Sequence, residues 1–448
     1  SGAVDRVNNG IRMKPVHIGI CGLGTVGGGT FNVLQRNSDL ISARAQTDLA
    51  VVHVGARRDN RDCELGQIRV SRDIFDVVRD PEVDIVVELI GGTTVARELI
   101  EEAIRNGKHV VTANKALIAE FGNDIFALAG EHGVVVRYEA AVAGGIPIIK
   151  AIREGLAANQ IEWLTGIING TGNFILTEMR DKGRDFADVL QEAQALGYAE
   201  ADPTFDIEGV DAAHKLTILA AIAFGIPLQF DKVYTEGIGH ITRADVGYAE
   251  EFGYRIKHLG YTRRTDKGIE LRVHPTLIPE RRLIANVDGV MNAVLVKADA
   301  VGPTLYYGAG AGSEPTASAV VADVVDVVRV LTADPGNRVP HLAFQPHALS
   351  DLPILSMEEV ETAYYLRLCA TDKPGVLAEV TRILGDRGIS IEAILQKESA
   401  ADAAEVPIIM LTHTVQEQRM NAAIEQIESL DSIHGAVTRI RLEHLACD

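Results

Sequence analysis

The stretch VHIGICGLGTVGGGTF, Val16 to Phe31, decides the fold. Six mostly apolar residues run straight into Gly22-x-Gly24-x-x-Gly27, and the apolar spacing beyond fits a helix carrying Phe31 and Leu34. Each glycine has its own task. Gly22 permits the tight turn out of the strand, Gly24 lets a pyrophosphate approach the backbone, and Gly27 lets helix and strand pack closely. The free N–H groups and the positive end of the helix then face the phosphates, so Thr25 and Val26 in the same turn are cofactor contacts too. A glycine fingerprint alone is weak, but this one follows a strand and opens a helix, as a dinucleotide site requires. Cys21, at the junction, reads as a small, buried and inert thiol.

Downstream, LAVVHVGA, VDIVVELI and HVVTAN alternate with helical segments such as ARELIEEAIRNG, which favours parallel strands with helical crossovers. The strands are continuously apolar, as they are when helices cover both faces of a sheet. An acidic residue at the end of the second strand would bind a ribose hydroxyl, whereas arginine there accepts a 2′-phosphate. Arg57 and Arg58 therefore favour NADP, while Asp59 beside them keeps NAD open.

From about Ile148 to Leu305 the pattern mixes amphipathic helices with strands such as QIEWLTGIIN and IELRVHPTLI. The segment ASAVVADVVDVVRVL, Ala317 to Leu331, is apolar at helical spacing and is expected to return to the first domain. PHLAFQPHALSDLPIL, with Pro340, Pro346 and Pro353, reads as a linker. The remainder runs strand, helix, strand, strand, helix, strand, a ferredoxin-like sandwich. The expected architecture is α/β: a Rossmann-type parallel-sheet domain over residues 13–140 plus 317–340, an α+β domain over 141–316, a linker over 341–361, and a small sandwich over 362–448. Residues 1–12 read as a loose arm outside the fold.

Composition agrees with several soluble domains. The 448 residues suit about three domains at ~100–200 residues each. A net charge of −19 argues against nucleic acid, whose binding needs Lys and Arg to replace condensed counterions. No apolar run reaches the ~20 residues that span a bilayer, and no leader-like h-region opens the chain, so membranes are not expected and a cytoplasmic location is. Cys21, Cys63, Cys369 and Cys447 have no zinc or disulfide-framework spacing.

The chemistry concentrates in LGYAEADPTFDIEGVDAAHKLTILAAIAFG, Leu196 to Gly225. Asp211 and Lys215, four apart, share a helical face, and Glu200 in the preceding loop can converge on the same point. Leu216, Ile218, Leu219, Ile222 and Phe224 mark a buried helix, so its charged end must face a cleft or a partner. Asp206 and Glu208 are read as capping a helix that begins near Glu208.

The segments GICGLGTVGGG, LIGG, TANKAL, YEAAVAGGIP, NGTGNFILTEM, LGYAEADPTFDIEGVDAAHK and GAGAGSEPTAS, in this order, resemble homoserine dehydrogenases over residues 16–331. With no kinase module ahead of them they resemble the monofunctional form. The resemblance implies NAD(P)-dependent interconversion of L-homoserine and L-aspartate 4-semialdehyde. It implies that Lys215 is the general acid/base, that Lys115 of TANKAL is a second cation beside nicotinamide and substrate, and that Glu200 and Asp211 bind the polar groups of homoserine. Hydride leaving an alcohol carbon must be matched by loss of the hydroxyl proton, and a lysine can take it where burial or a second cation lowers its pKa. Thr93, Gly197, Gly308, Gly310 and Gly312 are implied cofactor contacts. A monovalent cation, sodium or potassium, is implied at Glu139 with the carbonyls of Val142, Gly144 and Ile146.

LCATDKPGVLAEVTRILGDRGISIEAI resembles the opening of an ACT domain. Pro374 is read at the first helical position and Gly375 at the helix mouth, where exposed N–H groups suit an amino-acid carboxylate, with Asp372 for its ammonium. The family resemblance implies threonine as effector, an α+β substrate-binding, catalytic and dimerisation domain over 141–316, and a homo-oligomer, dimer or tetramer. An aspartate-semialdehyde dehydrogenase would need a cysteine at a helix mouth, which no cysteine here satisfies. A catalytically inactive dinucleotide-binding sensor is the other alternative, and Lys115, Glu200, Asp211 and Lys215 argue against it.

Overall fold

The computed structural model describes residues 14–397 and 403–447, so the N-terminal arm and Met13 lie outside the described residues. The chain divides into two compact units, one of residues up to 154 together with 311–347, the other of 155–310 together with 348 onward.

In the first unit six parallel strands are described: β1 (Val16–Cys21), β2 (Leu49–Gly55), β3 (Arg69–Ser71), β4 (Ile85–Glu88), β5 (His109–Thr112) and β6 (Val136–Arg137). Their order is β3-β2-β1-β4-β5-β6, every neighbouring pair parallel. The order reverses between β1 and β4, and open sheets of this kind bind ligands beyond the carboxyl ends of the strands at that switch. Helix α1 (Thr25–Arg36) leaves the glycine turn, and the Ser313–Val330 helix lies directly on it. A Cβ on Gly29 would come within 2.3 Å of Ser313 Oγ, so the two helices meet where only glycine fits. Val320, Val324 and Val327 share a core with Ile18, Ile20 and Phe31. Each such side chain stabilises by about 1.5–3 kcal/mol on burial, which is what holds this distant segment in the unit.

The second unit is built on one mixed sheet: β7 (Ile161–Ile167), β8 (Tyr234–Thr235), β9 (Tyr254–Thr265), β10 (Gly268–Pro279), β11 (Met291–Ala298), β12 (Gly302–Ala309), β13 (Glu361–Thr371), β14 (Ile391–Gln396), β15 (Glu405–Thr412), β16 (Val415–Gln416) and β17 (Thr438–Leu442). The order is β12-β11-β7-β9-β10-β17-β13-β15-β14, with β8 on β10 and β16 on β13. The strands of the small sandwich thus continue the sheet of the middle region, through a short parallel pairing that sets Thr276 opposite Arg441 and Leu277 opposite Leu442. One sandwich face is covered by its own helices Val376–Asp386 and Glu417–Glu428. The other face packs Tyr365, Ile409, Leu411 and Ile440 against Ile175, Leu176, Met179 and Val246 of the middle region.

Polar contacts reinforce this seam. Asp245, fully buried, accepts from Tyr365 Oη at 2.8 Å, Arg367 Nε at 2.6 Å and Thr242 Oγ1 at 2.8 Å. Burial alone would raise its pKa, but these hydrogen bonds and the Arg367 charge hold it below the usual carboxylate range. Arg441 bridges Glu417 and Glu236 in the same way.

Two helix starts differ from expectation. The sandwich helix begins at Val376 after Gly375 at φ +94°, so Pro374 precedes the cap instead of occupying the first helical position. The helix expected near Glu208 begins at Val210, because Gly209 at φ +84° breaks the chain after a separate short turn, Thr204–Ile207. Among the described residues no helix is long and apolar enough to cross a membrane.

Candidate active site

In the first unit the glycine turn is built as its spacing predicts. Gly22 has φ +100°, and a Cβ there would sit 2.7 Å from the Leu89 carbonyl oxygen. On Gly27 it would meet the Gly22 carbonyl oxygen at 2.0 Å. Around Gly24, the N-cap of α1, nothing lies within 4 Å of that position, which leaves room for a phosphate at the helix N-terminus. Thr25 and Val26 open the helix, and Ser313 Oγ donates to the Thr25 carbonyl at 2.8 Å, bringing the cap residue Gly312 beside the turn. Cys21 is buried, and burial followed by the nearby Glu88 charge pushes its thiol far above the usual range, as an inert side chain requires.

Across the switch point stands a residue that the sequence reading passed over. Glu88 ends β4 with no exposed surface, and its carboxylate is filled by protein donors. Oε2 accepts from the amides of Ile90 at 2.9 Å and Gly91 at 3.2 Å, and Oε1 from Thr112 Oγ1 at 3.0 Å and Asn114 Nδ2 at 3.1 Å. Asn114 also donates to the Gly92 carbonyl at 2.6 Å and caps the Lys115–Glu131 helix by accepting from Leu117 N. Glu88 therefore ties the Gly91–Gly92 turn, with Thr93 after it, to the start of the helix on which Lys115 is the first residue. The signal was available: within VDIVVELI, Glu88 is the one acid in the otherwise apolar stretch Ile85 to Ile90. Arg57 and Arg58 lie exposed after β2, while Asp59 is engaged by Arg72 at 2.6 Å.

Glu139 is buried in a short turn, its oxygens accepting from the amides of Ile149 at 2.9 Å and Lys150 at 3.1 Å. Burial, then the charge of Asp323, raises its pKa to about 7. Val142, Gly144 and Ile146 follow in a bend that passes through Ala143 at φ +54°. Among the described residues no group of three or more His, Cys, Asp or Glu forms a metal cluster. A carboxylate with backbone carbonyls is an all-oxygen donor set, which fits a hard cation and not a thiophilic one.

In the second unit the sequence brings together what it promised for Asp211 and Lys215. Lys215, its side chain 12% exposed, donates from Nζ to Asp211 Oδ2 at 2.8 Å and to the Ile168 carbonyl at 2.6 Å. Asn169 Nδ2 donates to the same Asp211 oxygen at 2.9 Å and to Asp206 Oδ1 at 2.6 Å. Asp206 is thus part of the cluster and not merely a cap. Glu200 lies exposed in the preceding loop, and Gln194 holds that loop through the Glu200 backbone carbonyl at 3.1 Å. Gly197 turns at φ +78°, while Gly310 packs so closely on Asn292 that a Cβ would overlap its amide. Behind Gly209 the buried His258 donates from Nε2 to the Glu236 carbonyl at 2.8 Å, and burial lowers its pKa to about 4, keeping the ring neutral.

Family models match in three consecutive stretches: "Homoserine dehydrogenase, NAD binding domain" over residues 22–139, "Homoserine dehydrogenase" over 147–325, and "ACT domain" over 364–432. A homoserine dehydrogenase of Pseudomonas aeruginosa is 69% identical over 97% of this chain and 100% of its own length. The chain belongs to the homoserine dehydrogenases. One from Neisseria gonorrhoeae is 57% identical over 97% of the chain and 100% of its own length. The crystal structure of a homoserine dehydrogenase from Thiobacillus denitrificans superposes with a TM-score of 0.92 at 68% identity, covering 97% of this chain and 99% of that one. A more distant structure, from Staphylococcus aureus, gives 0.73 at 28% identity over 97% and 100%. As a homoserine dehydrogenase the chain is an NAD(P)-dependent oxidoreductase acting on a CH–OH group, with a C-terminal ACT domain.

Proposed function

We propose that Lys215 is the general acid/base of homoserine oxidation, and that Asp211 and Glu200 bind the polar groups of the substrate. The observation that carries this is the Lys215 ammonium, mostly buried and fixed between one carboxylate and one backbone carbonyl. Bound nicotinamide dinucleotide supplies the hydride acceptor. In the oxidising direction Lys215, its ammonium first having lost a proton to solvent, takes the hydroxyl proton as the neutral amine, and in the other direction its ammonium donates a proton to the aldehyde oxygen. Lys115, at the first position of its helix, is the cation on the nicotinamide side. Thr93, Gly197, Gly308, Gly310 and Gly312 add cofactor contacts.

NADP is the preferred cofactor. Arg57 and Arg58 are exposed where a 2′-phosphate would lie, and Arg72 has drawn off the one acid, Asp59, that would favour NAD. A hyperthermophilic archaeal homoserine dehydrogenase, 26% identical, is described in complex with NADPH. Glu139 and the carbonyls of Val142, Gly144 and Ile146 would hold a monovalent cation, which would offset the buried carboxylate and fix the bend. In the ACT domain, the uncapped amides after Gly375 and the exposed Asp372 support an amino-acid effector, for which threonine is our choice. We assign the enzyme to the cytoplasm as a dimer or tetramer.

The test is homoserine-dependent reduction of NADP and of NAD by wild type and Lys215→Ala, each with and without threonine. Turnover by wild type alone, slowed by threonine, is the expected result. Equal turnover by both proteins would remove Lys215 from the mechanism.

A further inference from the structure

Asn169 sits between the last turn of β7 and the Gly170–Lys182 helix, 6% exposed, and every polar atom of its side chain has a partner. Oδ1 accepts from the Gly172 amide at 2.8 Å and so caps the helix. Nδ2 spends its two hydrogens on two different acids, Asp206 Oδ1 and Asp211 Oδ2. The reverse orientation of the amide is excluded by chemistry, since it would set oxygen against two carboxylates and NH₂ against an N–H donor.

The neighbouring backbone serves the same cluster. Ile168, one residue earlier, gives its carbonyl to Lys215 Nζ. Two consecutive residues thus grip the two ends of one ion pair, the carbonyl of Ile168 on the lysine and the amide of Asn169 on the aspartate. The glycines around Asn169 make this approach feasible. A Cβ on Gly170 would lie 2.7 Å from the carbonyl oxygen of Val290, the residue before β11, so the turn packs flat against the entry to that strand. Thr171 adds a hydrogen bond from its hydroxyl to the Tyr198 carbonyl, anchoring the loop that leads to Glu200.

We propose that Asn169 is a positioning residue for the acid/base centre. By bonding the same Asp211 oxygen that pairs with Lys215, it fixes the carboxylate's rotation and with it the direction of the ammonium. By bonding Asp206 as well, it places a donor between two acids that would otherwise repel and swing apart. A group displaced by about 1 Å can cost on the order of 100-fold in rate, so loss of this bond is felt in turnover. The inference rests on the proposed roles of Lys215 and Asp211.

Two substitutions separate positioning from folding, because Asn, Ser and Asp are nearly equivalent helix caps. Asn169→Ser keeps a capping oxygen and removes the donor. Asn169→Asp is the closer match in shape but puts a third negative charge among the acids. Kinetics are measured with homoserine and NADP on both, beside wild type and Lys215→Ala. The expected result is kcat lowered by roughly 10- to 100-fold in Asn169→Ser, with the KM for NADP unchanged and a deeper loss in Asn169→Asp, the reverse of the order that shape predicts. A kcat within about twofold of wild type in Asn169→Ser, or an Asn169→Asp variant no worse than Asn169→Ser, overturns the assignment. Should one variant not fold, the same limits on kcat and on the KM for NADP decide from the other. If Lys215→Ala keeps its turnover, the reading of the site falls and takes this inference with it; if only Asn169→Ser keeps turnover, this inference falls alone.

Discussion

Asn114 in the nucleotide-binding unit and Asn169 in the mixed-sheet unit occupy the same local position. Each follows a strand, caps the next helix with Oδ1 and turns Nδ2 toward a carboxylate. They differ in what completes the acid. Glu88 is filled by two amides, a hydroxyl and the Asn114 amide, none of which titrates, so it acts as a pin joining two loops. Asp211 shares its oxygen with an ammonium, so under the role proposed for Lys215 the same device there governs a proton-transfer group. On that proposal an identical capping geometry is structural or catalytic according to whether the acid's remaining partner can exchange a proton.

That contrast is sharpest where the ammonium is removed. Lys215→Ala is expected to lower kcat by about 10²–10⁴-fold while the circular dichroism spectrum is retained, since in the proposed mechanism the lysine is the member that handles the proton. Unfolding together with loss of activity would make Asp211 a pin like Glu88.

Asp245 extends the pin class to the ACT seam, with Tyr365, Arg367 and Thr242 as partners. Asp245→Ala leaves Arg367 and Tyr365 without their acceptor and should cost about 3–5 kcal/mol in urea unfolding. Because the folded pKa of Asp245 is depressed, its contribution is present above the unfolded carboxylate pKa near 4 and is lost as pH falls through the folded value. The gap between wild type and Asp245→Ala should therefore narrow below about pH 4; a constant gap would show that charge plays no part.

Glu88→Gln is smaller. A neutral amide cannot accept from both sides, and the unmet donors should cost about 1–3 kcal/mol in denaturant melts and raise the KM for NADP. Its kcat at saturating NADP should fall far less than that of Lys215→Ala; an equal fall would erase the distinction between pin and proton carrier. The smallest effect is expected on the exposed rim. Arg57→Ala should weaken NADP by about tenfold and narrow the preference over NAD, read from the ratio of kcat/KM values. An unaltered ratio would leave the preference to other residues.

Much of the first unit was legible because its function is carried by backbone. Gly22, Gly24 and Gly27 stand within six residues, and the requirement for glycine at each is local. The return of the Ser313–Val330 helix was also readable, from valines at helical spacing. The second unit depends on side chains brought together from far apart. Asn169 reaches Asp206 and Asp211 across 37 and 42 residues, so in the sequence it was only part of a Gly-rich motif, although an Asn before Gly is a cap signal in its own right. Glu88 was hidden as the last residue of a strand. The ACT strands were expected beyond a linker, and nothing in the local pattern announced their continuation of the catalytic sheet, because the pairing of β10 with β17 joins residues about 165 positions apart.

That pairing constrains the order in which the protein can be made. β17 is inserted between β10 and β13 and supplies Ile440 and Leu442 to the core shared with Ile175, Leu176 and Met179 of the Gly170–Lys182 helix and Val246 of the Arg243–Glu251 helix. Until Thr438–Leu442 has been made, the outer edge of β10 is covered only by β8 and by the bridge from Ile354 to Ile269, and an apolar surface meant for the interior faces solvent. The middle region, whose own residues are complete by 310, must wait for β17, which begins at Thr438, before its sheet can close.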